Sequence, residues 1–177
     1  MALWVFGYGS LLWDPGFTPA EACPAVLEGY RRSFCMLSIH HRGTEEAPGL
    51  VLALDAAEGH NCAGMAFRVA AGQDDAVLAM LRERELISSA YLEASLPVRL
   101  GDGRTVTAVT YVIDRDHRQY CRLALEDQAQ RIATAVGGRG PNDAYLFNTA
   151  THLATLGLPD PELDWLVARV RAITARD

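Results

Sequence analysis

Residues 4–17 read WVFGYGSLLWDPGF. An apolar run, Leu3 to Phe6, stops at Gly7-Tyr8-Gly9-Ser10; a second apolar patch covers Leu11 to Trp13, and Pro15 follows. A buried strand that ends in glycines invites a dinucleotide loop. That loop needs G-x-G-x-x-G and a helix opening directly from it. Here Leu12 stands at the third glycine position, and Pro15-Gly16 leave no room for a helix of useful length. No βαβ unit follows. Two readings of the loop remain. It is a tight turn leaving the first strand with Tyr8 in the core, or its backbone N–H groups face a ligand. Glycine permits close approach to the backbone, and the Ser10 hydroxyl can donate or accept.

Working outward, the first two-thirds of the chain are strand-rich and the last third is helical. Val26–His40 alternates apolar residues, interrupted by Arg31, Arg32 and Ser33. RGTEEAPG (42–49) is a polar loop with Gly and Pro punctuation. LVLALD and AGMAFRV read as two strands separated by AAEGHNC. GQDDAVLAMLRERELI predicts a helix with an acidic first turn at Asp74 and Asp75. YLEASLPVRL and TVTAVTYVID flank GDGR, a hairpin signal. LALEDQAQRIATAVGG predicts a helix capped by Gly137-Gly138. NDAYLFNTATHLATLG predicts another. A last helix is expected from Pro161, with Asp160 as its N-cap. Strands and helices do not alternate one for one, which disfavours a doubly wound parallel sheet. The order suits α+β: an antiparallel or mixed sheet, open or closed into a barrel, with helices outside.

The chain has 177 residues and a formal net charge of −6. One domain spanning residues 1–177 is expected at this length. The charge argues against a nucleic-acid partner and against an anionic membrane surface. No apolar run reaches the roughly 18 residues of a membrane span. MALWVF lacks a basic n-region and a cleavage site, so it is expected to be a first strand, not a signal peptide. Cys23, Cys35, Cys62 and Cys121 show no C-x-x-C spacing. They are expected to be reduced thiols in a cytoplasmic protein. His40 and His41 are adjacent, and His60, His117 and His152 share no ligand spacing, so no metal site is expected.

The loop stretch VFGYGSLLWDPGF resembles the opening signature of the ChaC family of γ-glutamylcyclotransferases. SIHHRGTEEAPGLVLAL is similar to that family's Ser-x-x-x-Arg-Gly-Thr-x-Glu-x-Pro-Gly segment. LRERELISSAYLEASLPV resembles its Arg-Glu-x-x-x-x-x-Tyr-Leu segment. GPNDAYLFNTATHLATLGLPDPELDWL resembles its C-terminal Tyr-Leu-x-Asn-Thr and Leu-Gly-x-x-Asp helices. The four blocks lie in the family's order and cover nearly the whole chain. The resemblance implies a small mixed β-barrel of the γ-glutamylcyclotransferase-like type with surrounding helices. It implies cleavage of glutathione to 5-oxoproline and cysteinylglycine without cofactor or metal. Other γ-glutamyl amines or dipeptides are the alternative substrates. A non-catalytic γ-glutamyl or amino-acid binding module is the alternative from outside enzymology.

That reaction needs no nucleophile from the protein, because the substrate's α-amine attacks its own γ-carbonyl. It needs the γ-glutamyl arm folded for attack, a proton shuttle and donors for the oxyanion. A buried carboxylate suits the shuttle, since burial raises its pKa. Val77, Leu78 and Leu81 define an apolar helix stripe; Glu85 follows Leu78 by seven and Leu81 by four, and so falls on it. Glu83 points the other way and is expected to be solvated. By residues alone, Glu85 is either a proton shuttle or the partner of a buried arginine. The resemblance places it at the family's catalytic glutamate. It also implies that Tyr8, Gly9, Ser10 and Leu11 bind substrate through backbone amides, with Tyr91 and Tyr145 nearby. Ser38 and Arg42 are candidates for the distal part of the substrate, and Arg42 could pair with a terminal carboxylate. Arg84 lies beside the stripe, where it could orient Glu85. Two departures stand out. Ala144 occupies a place more often acidic, and Ser88-Ser89-Ala90 replaces a glycine-containing stretch before Tyr91.

Overall fold

A computed structural model describes residues 2–87 and 89–175 of the chain. Ser88, one of the residues in the glycine-replacing stretch, lies outside the described residues. The strands are β1 (Trp4–Gly7), β2 (Glu21–Ser38), β3 (Gly49–Arg68), β4 (Tyr91–Leu100), β5 (Thr105–Ile113), β6 (Val136–Gly137) and β7 (Gly140–Pro141). The helices are α1 (Asp74–Glu85), α2 (Leu125–Thr134), α3 (Asn142–Thr155) and α4 (Pro161–Thr174). Five strands close a barrel in the order β1-β3-β2-β4-β5. β1 runs antiparallel to β3 and parallel to β5, so the sheet is mixed. The expected α+β barrel with helices is what the chain forms.

The chain divides into two compact units: Met1–Arg32 with Ala53–His117, and Ser33–Leu52 with Arg118–Asp177. In the first, the GDGR turn joins β4 to β5, with Tyr91 opposite Ile113 and Glu93 opposite Tyr111. Val5, Leu11, Val69, Val77, Leu81, Val109 and Tyr111 form one buried cluster. It joins α1 to β1, β5 and the turn after β1. Each fully buried aliphatic side chain there contributes on the order of 1.5–3 kcal/mol. α1 begins with Asp74 and Asp75 against its helix dipole, as expected.

In the second unit, Asn142 opens α3 and turns its amide onto β3. It accepts from Leu50 N and donates to Leu50 O, both at 2.8 Å. A side chain thus stands in for a neighbouring strand. Asp160 caps α4, accepting from Leu163 N at 3.1 Å, with Pro161 in the first turn.

Two expected boundaries moved. LVLALD and AGMAFRV are one continuous strand, β3, whose middle residues are exposed and pass through Gly59 at φ +80°. α2 stops at Thr134, and Gly137-Gly138 are not its cap. Gly137 belongs to the β6–β7 hairpin. A Cβ there would lie 2.4 Å from Gly43 N and 2.6 Å from Arg42 N, so its glycine is required by backbone contact. No helix among the described residues is long and apolar enough to cross a membrane.

Candidate active site

The first unit brings the glycine loop and Glu85 together through one arginine. After β1 the chain makes a short 3-10 turn over Ser10–Leu12, with Leu12 N donating to Gly9 O at 2.9 Å. Its two flanking glycines have different reasons. A Cβ on Gly7 would meet Leu11 Cβ at 3.0 Å, because the loop folds back on the strand end. Gly9 is buried, yet a Cβ on it would meet nothing within 4 Å. It lines a recess. The turn's first amides have no partner within it. Among the described residues, the N–H groups of Gly9, Ser10 and Leu11 have no acceptor.

Glu85 closes α1, and its side chain is 16% exposed. Burial pushes its carboxyl above the usual range, and the charge of Arg84 pulls back against that. Arg84 Nε lies 3.6 Å from Glu85 Oε1. The same guanidinium donates from Nη1 to Asp14 O at 2.7 Å and from Nη2 to Ser10 Oγ at 3.0 Å. It therefore ties the loop to the helix end that carries Glu85. Glu83 is exposed.

A second carboxylate lies on the adjoining strand with the opposite shift. Glu93 accepts two bonds from Arg82, each 3.0 Å, and one from the buried Tyr111 hydroxyl at 2.9 Å. The Arg82 bonds, with help from Tyr111, hold Glu93 below its ordinary range. Burial and the negative charges of Glu93 and Glu85 push Tyr111 upward, so it stays a neutral donor. One carboxylate is locked as an anion, and the other is poised nearer neutrality. Such divergence separates an acid–base group from a fixed charge. Tyr91, half-buried, packs against the same cluster as Tyr111.

Tyr111, Glu93, Arg82 and Arg32 carry no motif that marks them in the sequence. Arg32 leaves one trace, as a cation interrupting an apolar run. The others have the sequence appearance of ordinary strand and helix-surface residues.

Ser38, Arg42 and Tyr145 lie together in the second unit. Ser38 is buried, and its Oγ accepts from Arg42 N at 3.0 Å. Arg42 Nη1 donates to Arg139 O at 3.0 Å and Pro141 O at 3.2 Å. Its guanidinium carbon sits 5.5 Å from the centroid of the Tyr145 ring. Tyr145 packs edge-on against Phe34, and its hydroxyl accepts from Leu52 N at 3.2 Å. Arg42 is thus a half-buried clamp, not an exposed loop cation. Ala144 is exposed, and Tyr145 is held without an acidic neighbour at that position. Among the described residues, no group of three or more His, Cys, Asp or Glu is arranged to hold a metal ion.

A family model for ChaC-like protein matches residues 3–173. The chain belongs to the ChaC-like family. Among ChaC-like relatives, the glutathione-specific γ-glutamylcyclotransferase of Escherichia coli strain K12 is 36% identical over 176 residues, covering 99% of this chain and 75% of that one. γ-Glutamylcyclotransferase 2-3 of Arabidopsis thaliana is 38% identical over 180 residues, covering 98% and 90%. The ChaC-like chain also shares its fold with the crystal structure of a yeast γ-glutamyl cyclotransferase specific to glutathione. The TM-score there is 0.87 at 21% identity, with 99% of this chain and 98% of that one covered.

Proposed function

We propose that this protein is a γ-glutamylcyclotransferase that converts glutathione to 5-oxoproline and cysteinylglycine, with Glu85 as its proton shuttle. The observation that carries the site is the single guanidinium of Arg84, bonded to the glycine loop and 3.6 Å from a carboxylate whose affinity for protons burial has raised. The substrate class follows from the relatives' activity.

In this reading the open space beside Gly9 takes the γ-glutamyl arm. The α-amine attacks the γ-carbonyl carbon; a C–N bond forms and closes the five-membered ring. Glu85 takes the proton that the amine loses. The tetrahedral oxyanion collapses, the bond to the cysteine nitrogen breaks, and Glu85 returns the proton to that leaving nitrogen. Holding the arm folded contributes up to about 7–11 kcal/mol of barrier lowering in the best intramolecular cases. Proton transfer adds typically 10²–10⁴-fold. The N–H groups of Gly9, Ser10 and Leu11 are the donors available to the developing charge or to the α-carboxylate. The chemistry is complete with side chains and substrate. We place it in the cytoplasm, acting on a small molecule rather than on nucleic acid or membrane.

The test is purified protein incubated with glutathione and, separately, with γ-glutamyl-alanine. Release of 5-oxoproline and cysteinylglycine from glutathione, with slower release from γ-glutamyl-alanine, is the expected result. Folded protein that releases neither product overturns the activity. Preference for γ-glutamyl-alanine overturns the substrate.

A further inference from the structure

The carbonyl immediately before Gly9 is held by a buried arginine. Arg32 of β2 is 5% exposed, and its Nε donates to Tyr8 O at 2.7 Å. Its Nη2 donates to the carbonyl of Ala63 on β3. Taking a guanidinium out of water is expensive, and an apolar side chain fills such a place at less cost. We propose that Arg32 is a positioning residue that aims the Gly9 amide at the substrate, a role that rests on the cyclotransferase reading above.

The geometry runs through one peptide plane. No peptide bond among the described residues is cis. In a trans peptide the C=O and the following N–H point in opposite directions. Pinning the Tyr8 carbonyl on Arg32 therefore turns the Gly9 N–H away from Arg32. Gly9 borders open space on its Cβ side, and its amide has no acceptor among the described residues. Arg84 fixes the loop on the other side of Gly9 in sequence, through Ser10 and Asp14. One guanidinium precedes the amide and one follows it. A donor fixed before the substrate arrives needs no reorganisation as charge develops on the carbonyl oxygen. The planar fork is what the place demands, because it spans two carbonyls at a set angle. A lysine could hold one of them but not both in that geometry.

The experiment measures glutathione kinetics for wild type, Arg32→Met and Arg32→Lys, with Arg115→Met as control. Arg115 is likewise an arginine of the first unit that holds a backbone carbonyl, that of Ala56, and it also pairs with the buried Asp55 at 2.7 Å. Its loss destabilises without touching the loop. Arg32→Met is expected to lower kcat/KM by roughly 10²-fold, the scale of losing one oxyanion donor, and Arg32→Lys to recover part of it. Arg115→Met is expected to stay near wild type. In ¹⁵N-labelled protein, added 5-oxoproline should shift the Gly9 amide resonance in wild type and not in Arg32→Met. Arg32→Met with the kinetics of Arg115→Met, or with an unaltered Gly9 shift, overturns the role of Arg32 while the cyclotransferase function stands. A wild type that makes no 5-oxoproline overturns the function, and this role with it.

Discussion

Arg84 donates from Nη2 to the Ser10 hydroxyl at 3.0 Å, joining residues 74 apart in sequence. That bond, with the 3.6 Å approach of Nε to Glu85, makes the loop and the helix end one electrostatic unit. Arg84→Met should remove the cation that lowers the Glu85 pKa and leave burial to raise it unopposed. Tyr111 of β5, itself bonded to Glu93 and through it to Arg82, also feels the Glu85 charge. In the proposed mechanism Glu85 acts as a base and so works ionised. The acidic limb of kcat/KM against pH should therefore move to higher pH in Arg84→Met, with a lower plateau. An acidic limb that stays in place or moves down contradicts the coupling.

Glu85 also carries a stability signature. Its folded pKa lies above the ordinary 4.5 because of burial. A folded state that binds the proton more tightly has this contribution in full below the unfolded pKa and loses it as pH rises through the folded one. Glu85→Gln removes the buried charge, so it should raise Tm near neutral pH, by about 2–4 °C for each kcal/mol recovered. The gain should shrink as pH falls toward about 4. Equal or lower Tm at neutral pH contradicts the burial account.

Ser89 sits at φ 55°, in the left-handed region, two residues before Tyr91 opens β4. The bend that a glycine would make is made here by serine. Relieving a left-handed non-glycine residue recovers about 1 kcal/mol, less the extra chain entropy that glycine loses. Ser89→Gly should therefore raise Tm by about 1–3 °C and leave turnover unchanged. A drop in Tm contradicts the strain.

Much of this was legible in the sequence, and the limits have physical causes. Glu85 could be found because helical periodicity is local: four residues from Leu81 and seven from Leu78 place it on the buried stripe. The missing third glycine and Pro15 excluded a nucleotide loop on covalent grounds alone. Arg84's grip on Ser10 and Asp14 could not be read, because it depends on where the barrel returns the chain. Arg32 showed only as an interruption in a strand. Gly137 reads as a helix cap in the sequence because a glycine needed for long-range backbone approach looks the same there as one needed for a local turn.

Asn142 makes the strongest structural forecast in the second unit. Its amide satisfies both the N–H and C=O of Leu50, and all three groups are buried. Asn142→Ala leaves two backbone groups unsatisfied and should cost about 2–4 kcal/mol, measured as a lowered urea midpoint at unchanged slope. A shift within the range of a surface substitution, about 0.5 kcal/mol, contradicts the role of strand surrogate.

The central claim is that Glu85 moves the proton in the cyclisation. The most direct measurement is 5-oxoproline released from glutathione by wild type, Glu85→Gln and Glu83→Gln, each verified as folded. Glu85→Gln should lose at least the roughly 10²–10⁴-fold that general acid–base catalysis supplies, while the exposed Glu83→Gln keeps nearly all of its activity. Near wild-type turnover in Glu85→Gln, or equal losses in the two variants, contradicts it.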